Sequence, residues 1–288
     1  MRRLNFDLKK MGDNSREGSY ATQSNRARIL SLMANQLHEI GYKKMRAGDL
    51  KGRHINALLD RWKQEEISAG TMKNRMSALR WWAGKVGKAS IVARDNRSYG
   101  IPDRKYVTGE NKARELGQQS LEKVVDPYVK MSLELQRAFG LRREEAIKFS
   151  PSYADQGDHV RLKSSWTKGG KAREIPVRTQ AQRDVLNRAH KLAGSGSLIP
   201  PDRNYIRHLK VYERHCTSAG LSKMHGLRHA YAQQRYHELT GWKAPANGGP
   251  NARSLTLEQR EIDRDSRLII SHELGHEREA ITAVYLSR

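Results

Sequence analysis

Hydrophobic residues recur at helical spacing in the first third of the chain. Steps of three and four place the apolar residues on one face, as in an amphipathic helix with a buried side. A first helix is predicted from Ser24 or Asn25 to Ile40, and others begin near Gly52 and Thr71. The apolar positions are Leu30, Met33, Leu37 and Ile40; Ile55, Leu58, Leu59 and Trp62; and Met72, Met76, Leu79 and Trp82. Short links between such helices predict a small helical bundle.

The pattern changes after this bundle. Residues 88–109 lose their periodicity, and a helical pattern resumes from 111 to 139. Apolar and charged residues then alternate over 158–177 around Gly169-Gly170, which predicts a β-hairpin. Further helices are predicted at 179–193, 202–219, 225–240 and 256–271, with a Gly/Pro/Asn-rich loop at 241–255. We therefore expect a mainly α fold with a small β-sheet.

These changes divide the chain into segments. Residues 1–18 are polar and predict a flexible arm. Residues 19–90 form a helical domain, 91–109 an interdomain linker, and 110–288 a larger mixed α/β domain.

Charge narrows the class of partner. The 288 residues include 54 Lys and Arg against 31 Asp and Glu, a net charge of +23. Residues 1–109 carry 23 basic and 10 acidic residues, and 110–288 carry 31 and 21. Both parts are basic, so a polyanion would contact both. Nucleic acid is the usual polyanion, because phosphate neutralisation releases condensed counterions.

Cysteine and apolar content indicate a compartment. Cys216 is the single cysteine, which fits a reducing environment. No apolar run approaches the ~20 residues of a membrane helix, and no secretory signal follows Met1. We expect a soluble cytoplasmic protein with no membrane partner.

Separated polar pieces suggest phosphoryl transfer without a metal. They are Gly140-Leu141-Arg142-Arg143-Glu144-Glu145, Lys168 and Lys171 in the hairpin, His225-Gly226-Leu227-Arg228-His229, and Leu274-Gly275-His276 with Tyr285. Guanidinium groups fit phosphate oxygens, and a tyrosine can keep the phosphodiester energy in a covalent bond. A lysine can protonate the leaving oxygen, and histidines can donate hydrogen bonds or carry a proton. Each of these motifs, taken alone, also occurs in proteins where its residues have a purely structural role.

One segment has a competing interpretation. His272-Glu273-Leu274-Gly275-His276 matches the H-E-x-x-H pattern of zinc proteases. That chemistry needs a third ligand, and the residues after His276 are too close to supply it easily. Gly275 also weakens the helix that would present both histidines. We therefore expect no metal ligands here.

Together and in this order, the pieces resemble the tyrosine recombinase (phage integrase) family. The resemblance runs from about 110 to the end, and more loosely 19–90 is similar to the family's core DNA-binding domain. It assigns catalytic roles to Arg142 in GLRREEA, Lys168 in TKGGKAREIPV, His225 and Arg228 in HGLRH, His276 in LGH, and Tyr285. Residues 110–288 would then be the catalytic domain.

The resemblance implies a mechanism and a set of partners. Tyr285 would form a 3′-phosphotyrosine with DNA, with no metal or nucleotide cofactor. Two domains would clamp duplex attachment sites of a mobile element, of bacterial or phage origin. The protein would be a homotetramer on DNA and a monomer or weak oligomer without it. An accessory DNA-bending protein would be a further partner.

Departures and alternatives accompany this expectation. Arg228 and His276 are 48 residues apart, a long gap that the 241–255 loop accounts for. One alternative is a relative that uses the same cleavage chemistry but yields a different DNA product, such as a type IB topoisomerase or a hairpin-telomere resolvase. A DNA-binding architectural or regulatory protein with an inactive site is the alternative from another class.

Overall fold

A computed structural model of the chain describes residues 2–287 and divides into two units, Met1–Lys105 and Tyr106–Arg288. Met1 begins the predicted arm and Arg288 ends the predicted catalytic domain, and both lie outside the described residues. The predicted fold class is confirmed, since helices dominate and the described residues contain one small antiparallel sheet.

Amphipathic helices build the N-terminal unit. The helices are α1 Arg3–Asp13, α2 Tyr20–Ile40, α3 Gly52–Gln64 and α4 Ala69–Lys85. The Ser19 hydroxyl caps α2 by accepting a bond from the Thr22 amide, and Gly41 ends the helix in a left-handed conformation. The apolar faces meet in one core around Trp62 and Trp82. The predicted helices of this unit are therefore present, with α2 starting a turn earlier than expected.

The flexible arm predicted for residues 1–18 is wrong over its helical part. Helix α1 packs on α2 and buries Leu4 and Leu8 in the unit's core. The Asp7 carboxylate accepts bonds from Arg46 Nε at 2.7 Å and Nη2 at 2.9 Å, which tie the helix to the unit. Leu4, Leu8 and Met11 are spaced four and three apart, which is the spacing of one apolar helix face. The polar residues that follow, Gly12 to Ser15, hide this short apolar period.

Most of the predicted linker is packed on the same unit. Val92 and Ile101 are buried in its core, and Arg80 Nε donates to the Ala93 carbonyl at 2.8 Å. The boundary between the units, at 105/106, falls inside the segment 91–109.

The second unit surrounds a short hairpin with helices. Its helices are α5 Gln118–Glu122, α6 Pro127–Phe139, α7 Arg143–Ile147, α8 Pro151–Ala154, α9 Gln180–Ala193, α10 Tyr205–Ser218, α11 Gly226–Thr240, α12 Leu257–Glu273 and α13 Ala283–Leu286. The helical pattern predicted over 111–139 is only partly present, as α5 and α6. Residues 111–117 are irregular, and Asp126-Pro127 starts a new helix because proline fits the first helical turn.

The predicted hairpin is present. Strands β1 His159–Leu162 and β2 Arg173–Pro176 pair antiparallel, with Val160 opposite Ile175 on the buried face. Gly169 and Gly170 lie in the turn. The loop at 241–255 contains one short 3-10 turn, Pro245–Asn247, which contacts α13.

No helix within residues 2–287 is both long and apolar enough to span a membrane.

Candidate active site

Helix α11 presents the central arginine. It begins at Gly226, so His225 stands at its N-cap and Arg228 in its first turn. A Cβ atom on Gly226 would lie 2.3 Å from Arg114 Cγ and 2.7 Å from the Lys112 carbonyl oxygen. The Arg114 amide also donates to the Gly226 carbonyl at 3.1 Å. Glycine thus lets the irregular segment 111–117 lie directly on the start of α11.

The Arg228 guanidinium is buried, at 1% exposure, and is fixed by helix ends. Nη1 donates to the Gly140 carbonyl at the end of α6 at 2.6 Å, and Nη2 donates to the Leu274 carbonyl at the end of α12. Helix C-termini carry unpaired carbonyls and partial negative charge, which favour a cation. Burial, with the charges of Arg142 and Arg173, lowers the pKa of Arg228 to about 10. It therefore stays charged at neutral pH.

Arg142 is held beside Arg228. Its Nη1 donates to Glu145 Oε1 at 2.8 Å, and its Nη2 donates to the Leu274 carbonyl at 3.3 Å. The Arg142 amide donates to Glu145 Oε2 at 2.7 Å, so Glu145 also caps α7. The two predicted phosphate-binding arginines thus share one carbonyl acceptor.

Tyr285 lies against these groups. Its hydroxyl accepts a bond from Arg228 Nε at 3.2 Å and lies 3.3 Å from His276 Nε2. Its ring centroid is 4.8 Å from that of His229 and 6.4 Å from that of His225. Helix α13 is short, and Gln233 Nε2 holds it by donating to the Tyr285 carbonyl at 3.2 Å.

The histidines around Tyr285 are neutral at neutral pH, because their pKa values are lowered. Desolvation, then the charges of Arg228 and Arg142, lowers the pKa of His276 to about 4 and also lowers the pKa of His225. Desolvation, then the neighbouring His225 and the charges of Lys112 and Arg228, lower the pKa of His229 to about 4. At neutral pH such imidazoles carry no charge, so each can donate one hydrogen bond and accept another.

Lys168 makes no direct contact with this cluster among the described residues. It is exposed in the hairpin turn and makes no hydrogen bond or ion pair within residues 2–287. Its charge does contribute to the lowered pKa of His225. The structure therefore brings Arg142, His225, Arg228 and His276 around Tyr285, and leaves Lys168 at the edge.

Sequence reasoning gave no role to Arg173, which is part of the same cluster. It lies on β2 and donates from Nη1 and Nη2 to the two oxygens of Glu145, at 2.8 and 2.7 Å. Burial alone would raise the pKa of Glu145, but the bonds and charge of Arg173, with Arg142 and Arg228, lower it to about 2. Residues two apart on a strand face the same side, so the sequence does predict that Arg173 shares the buried face of Ile175.

The zinc-protease pattern does not form a metal centre. Helix α12 ends at Glu273 and Gly275 adopts a left-handed conformation with φ 68°, so His272 and His276 do not share a helical face. The Glu273 carboxylate accepts bonds from Tyr231 at 2.7 Å and Arg235 at 3.0 Å. Within residues 2–287, no group of three or more His, Cys, Asp or Glu side chains is arranged to hold a metal ion.

Solved structures share the fold of the whole chain. A lambda integrase dimer bound to a COC′ core site is 16% identical, with 98% of this chain and 76% of that chain covered and a TM-score of 0.63. The Tn1549 transposon integrase in complex with circular intermediate DNA is 12% identical, with 100% and 96% covered and a TM-score of 0.58. XerH site-specific recombinase bound to difH substrate is 16% identical, with 98% and 80% covered and a TM-score of 0.56.

Family models match both units. The model described as "Phage integrase, N-terminal" matches residues 1–90, and the model described as "Integrase" matches residues 104–234. No curated protein matches the sequence. The two family matches take in most of the chain and occur in the order that its motifs predict. The chain belongs to the tyrosine recombinase (phage integrase) family.

Proposed function

We propose that this chain is a site-specific DNA recombinase of a mobile element, which cuts and rejoins strands through a 3′-phosphotyrosine. The observation that carries the proposal is the contact of Tyr285 Oη with Arg228 Nε and His276 Nε2, at 3.2 and 3.3 Å. A hydroxyl held between a guanidinium and a neutral imidazole is a nucleophile already placed beside a phosphate-binding group.

The proposed reaction uses the chain's own side chains. Arg142 and Arg228 bind the non-bridging oxygens of the scissile phosphate, and His276 donates a hydrogen bond to one of them. Tyr285 Oη attacks phosphorus and passes its proton towards His225, which is neutral at the start. The bond from phosphorus to the 5′-oxygen breaks, and Lys168 protonates that oxygen.

The bond energy is kept in the phosphotyrosine. The 5′-hydroxyl of a partner strand attacks it, re-forms a phosphodiester and releases the tyrosine. Because one phosphoester replaces another, the exchange needs no energy source. Two rounds pass through a four-way junction.

DNA and further copies of the chain are the proposed partners. The net charge of +23 is spread over both units, which supports contact of each with duplex DNA. The similar lambda integrase structures are a dimer on a core site and a tetramer on a Holliday junction. We propose a tetramer on DNA, acting in the cytoplasm of a bacterial host.

A nicked suicide substrate tests the chemistry. Cleavage near the nick releases a short fragment and traps the covalent adduct. Wild type should give an adduct that maps to Tyr285, and Tyr285→Phe should give none. Tyr128→Phe is the matched control, since Tyr128 is a half-buried tyrosine of the same unit, and it should react as wild type does.

Two outcomes would overturn the proposal. A wild-type protein that binds attachment-site DNA without forming an adduct would be an architectural or regulatory protein. Relaxation of any supercoiled plasmid, without junctions between two specific sites, would indicate the topoisomerase outcome instead.

A further inference from the structure

Arg173 joins segments that are far apart in sequence. It is 9% exposed, and its Nη1 and Nη2 atoms donate to both oxygens of Glu145 in α7. Its Nε atom donates to the Glu273 carbonyl at the end of α12, at 3.0 Å. One side chain on the hairpin therefore contacts the helix that follows Arg142 and the turn that leads to His276.

The contact with the turn is close. A Cβ atom on Gly275 would lie 2.9 Å from Arg173 Cδ and 3.0 Å from its Nη1. Gly275 also has φ 68°, a conformation that side chains disfavour. The peptide before His276 is thus packed on the Arg173 guanidinium.

Glu145 transmits this placement to Arg142. Its Oε1 accepts both Arg173 Nη1 and Arg142 Nη1, each at 2.8 Å. The carboxylate is fully buried between these two guanidinium groups. Any shift of Arg173 would therefore shift Glu145, and with it the guanidinium of Arg142.

We propose that Arg173 is a positioning residue which sets Arg142 and the His276 turn for phosphate binding. It acts through Glu145 and the Glu273 carbonyl and does not itself touch the phosphate. This role rests on the proposed function. A lysine keeps the charge but lacks the planar fork of donors, so it cannot make the three bonds together.

Single-turnover cleavage of the suicide substrate tests the proposal with Arg173→Lys. The control is Arg161→Lys, the same substitution at an arginine of β1 in the same hairpin, where Arg161 pairs with the exposed Glu174. DNA binding and thermal unfolding are measured for both variants. We expect Arg173→Lys to bind DNA within about threefold of wild type and to cleave about 100-fold more slowly, as displaced catalytic groups do. The control should cleave as wild type does.

A second substrate separates Arg173 from Lys168. Sulfur in place of the bridging 5′-oxygen leaves as a thiolate and needs no proton. It should restore cleavage by Lys168→Ala, whose defect is leaving-group protonation, and should not restore cleavage by Arg173→Lys. Restoration of Arg173→Lys would mean that Arg173 serves Lys168, which overturns the proposal.

The remaining outcomes are also decisive. An unchanged cleavage rate in Arg173→Lys overturns the positioning role alone, whereas absence of an adduct in wild type overturns the proposed function and this role with it. If Arg173→Lys does not fold, Gly275→Ala displaces the same guanidinium from the other side. Wild-type cleavage by a folded Gly275→Ala protein would then contradict the proposal.

Discussion

The backbone carbonyl of Leu274 accepts hydrogen bonds from both Arg142 and Arg228. Two guanidinium groups that share an acceptor repel each other, and Glu145 compensates only part of their charge. Burial, then the charges of Arg142 and Arg173, lower the pKa of Arg228 to about 10. The cluster is therefore short of negative charge in the free protein, and a phosphate diester would supply it.

The start of α11 gives a residue-scale prediction. Gly226→Ala should lower the free energy of unfolding by about 1–3 kcal/mol, because the Cβ atom overlaps Arg114 and the Lys112 carbonyl. Chemical denaturation of the full chain measures it. Gly117→Ala in the same unit, where a Cβ atom meets nothing within 4 Å, should be close to neutral. Equal effects of the two substitutions would contradict the packing argument.

The buried histidines predict how stability depends on pH. His229 has a pKa of about 4 in the folded chain, against about 6.5 when unfolded. The unfolded chain binds more protons between these values, so stability is full above about pH 6.5 and falls as pH falls towards 4. His229→Asn should remove on the order of 2 kcal/mol of this loss. Denaturation at pH 7 and pH 4.5 checks it, and an unaltered pH profile would refute it.

Sequence reasoning at this scale found the side chains that the structure gathers around Tyr285. Arg142, Arg228, His225 and His276 sit in short motifs whose order and spacing are specific. The role of Arg173 is not predictable in this way, because its partners, Glu145 and the Glu273 carbonyl, are 28 and 100 residues away. Single-sequence reasoning has no means of pairing such groups, even when the inward position of Arg173 on its strand can be predicted.

At the scale of elements, strongly periodic stretches were predictable and short or irregular ones were not. Helix α9 lies within a residue of its predicted bounds and α3 begins at its predicted start, since one apolar stripe determines each of them. Short helices such as α7 and α13 have too few turns to show a period. The segment 111–117 looked helical but crosses the start of α11, because tertiary contact overrides weak local preference.

At the scale of elements, we predict that the packing of helix α1 stabilises the N-terminal unit. Leu8→Ala should destabilise the N-terminal unit by about 2–5 kcal/mol, since Leu8 is 2% exposed in its core. Phe6→Ala, on the exposed side of the same helix, should have little effect. Hydrogen exchange of α2 amides in the full chain measures both variants. If Leu8→Ala leaves the exchange protection of the α2 amides unaltered, α1 does not stabilise the unit and residues 1–18 behave as a flexible arm.

At the scale of the whole molecule, charge is the property that composition alone makes evident. Positive charge in both units predicts that affinity for DNA falls steeply with salt, by about 10³–10⁵ between 50 and 200 mM for six to ten phosphate contacts. Fluorescence anisotropy over this range tests it. Tyr285→Phe changes no charge and should keep the same slope. A shallow slope would show that the basic surface faces something other than phosphates.

The whole-molecule division was only partly predictable. The loss of periodicity after residue 88 located the region of the boundary, but the burial of Val92 and Ile101 shows that most of this region belongs to the first unit. The apolar residues of this stretch follow no helical or strand period, so they give too weak a signal to predict such packing.

The carbonyls that hold Arg142, Arg173 and Arg228 stand at the end of α12, and the 241–255 loop lies before its beginning. The loop can therefore lengthen or shorten without altering which oxygens meet the arginines. A change inside α12 cannot be absorbed in this way, because one added residue turns the helix end by about 100°. A change of length is thus tolerated in the exposed part of the loop around Asn251, but not within α12 or at the Pro245–Asn247 turn, which contacts α13. A new peptide would therefore be grafted near Asn251.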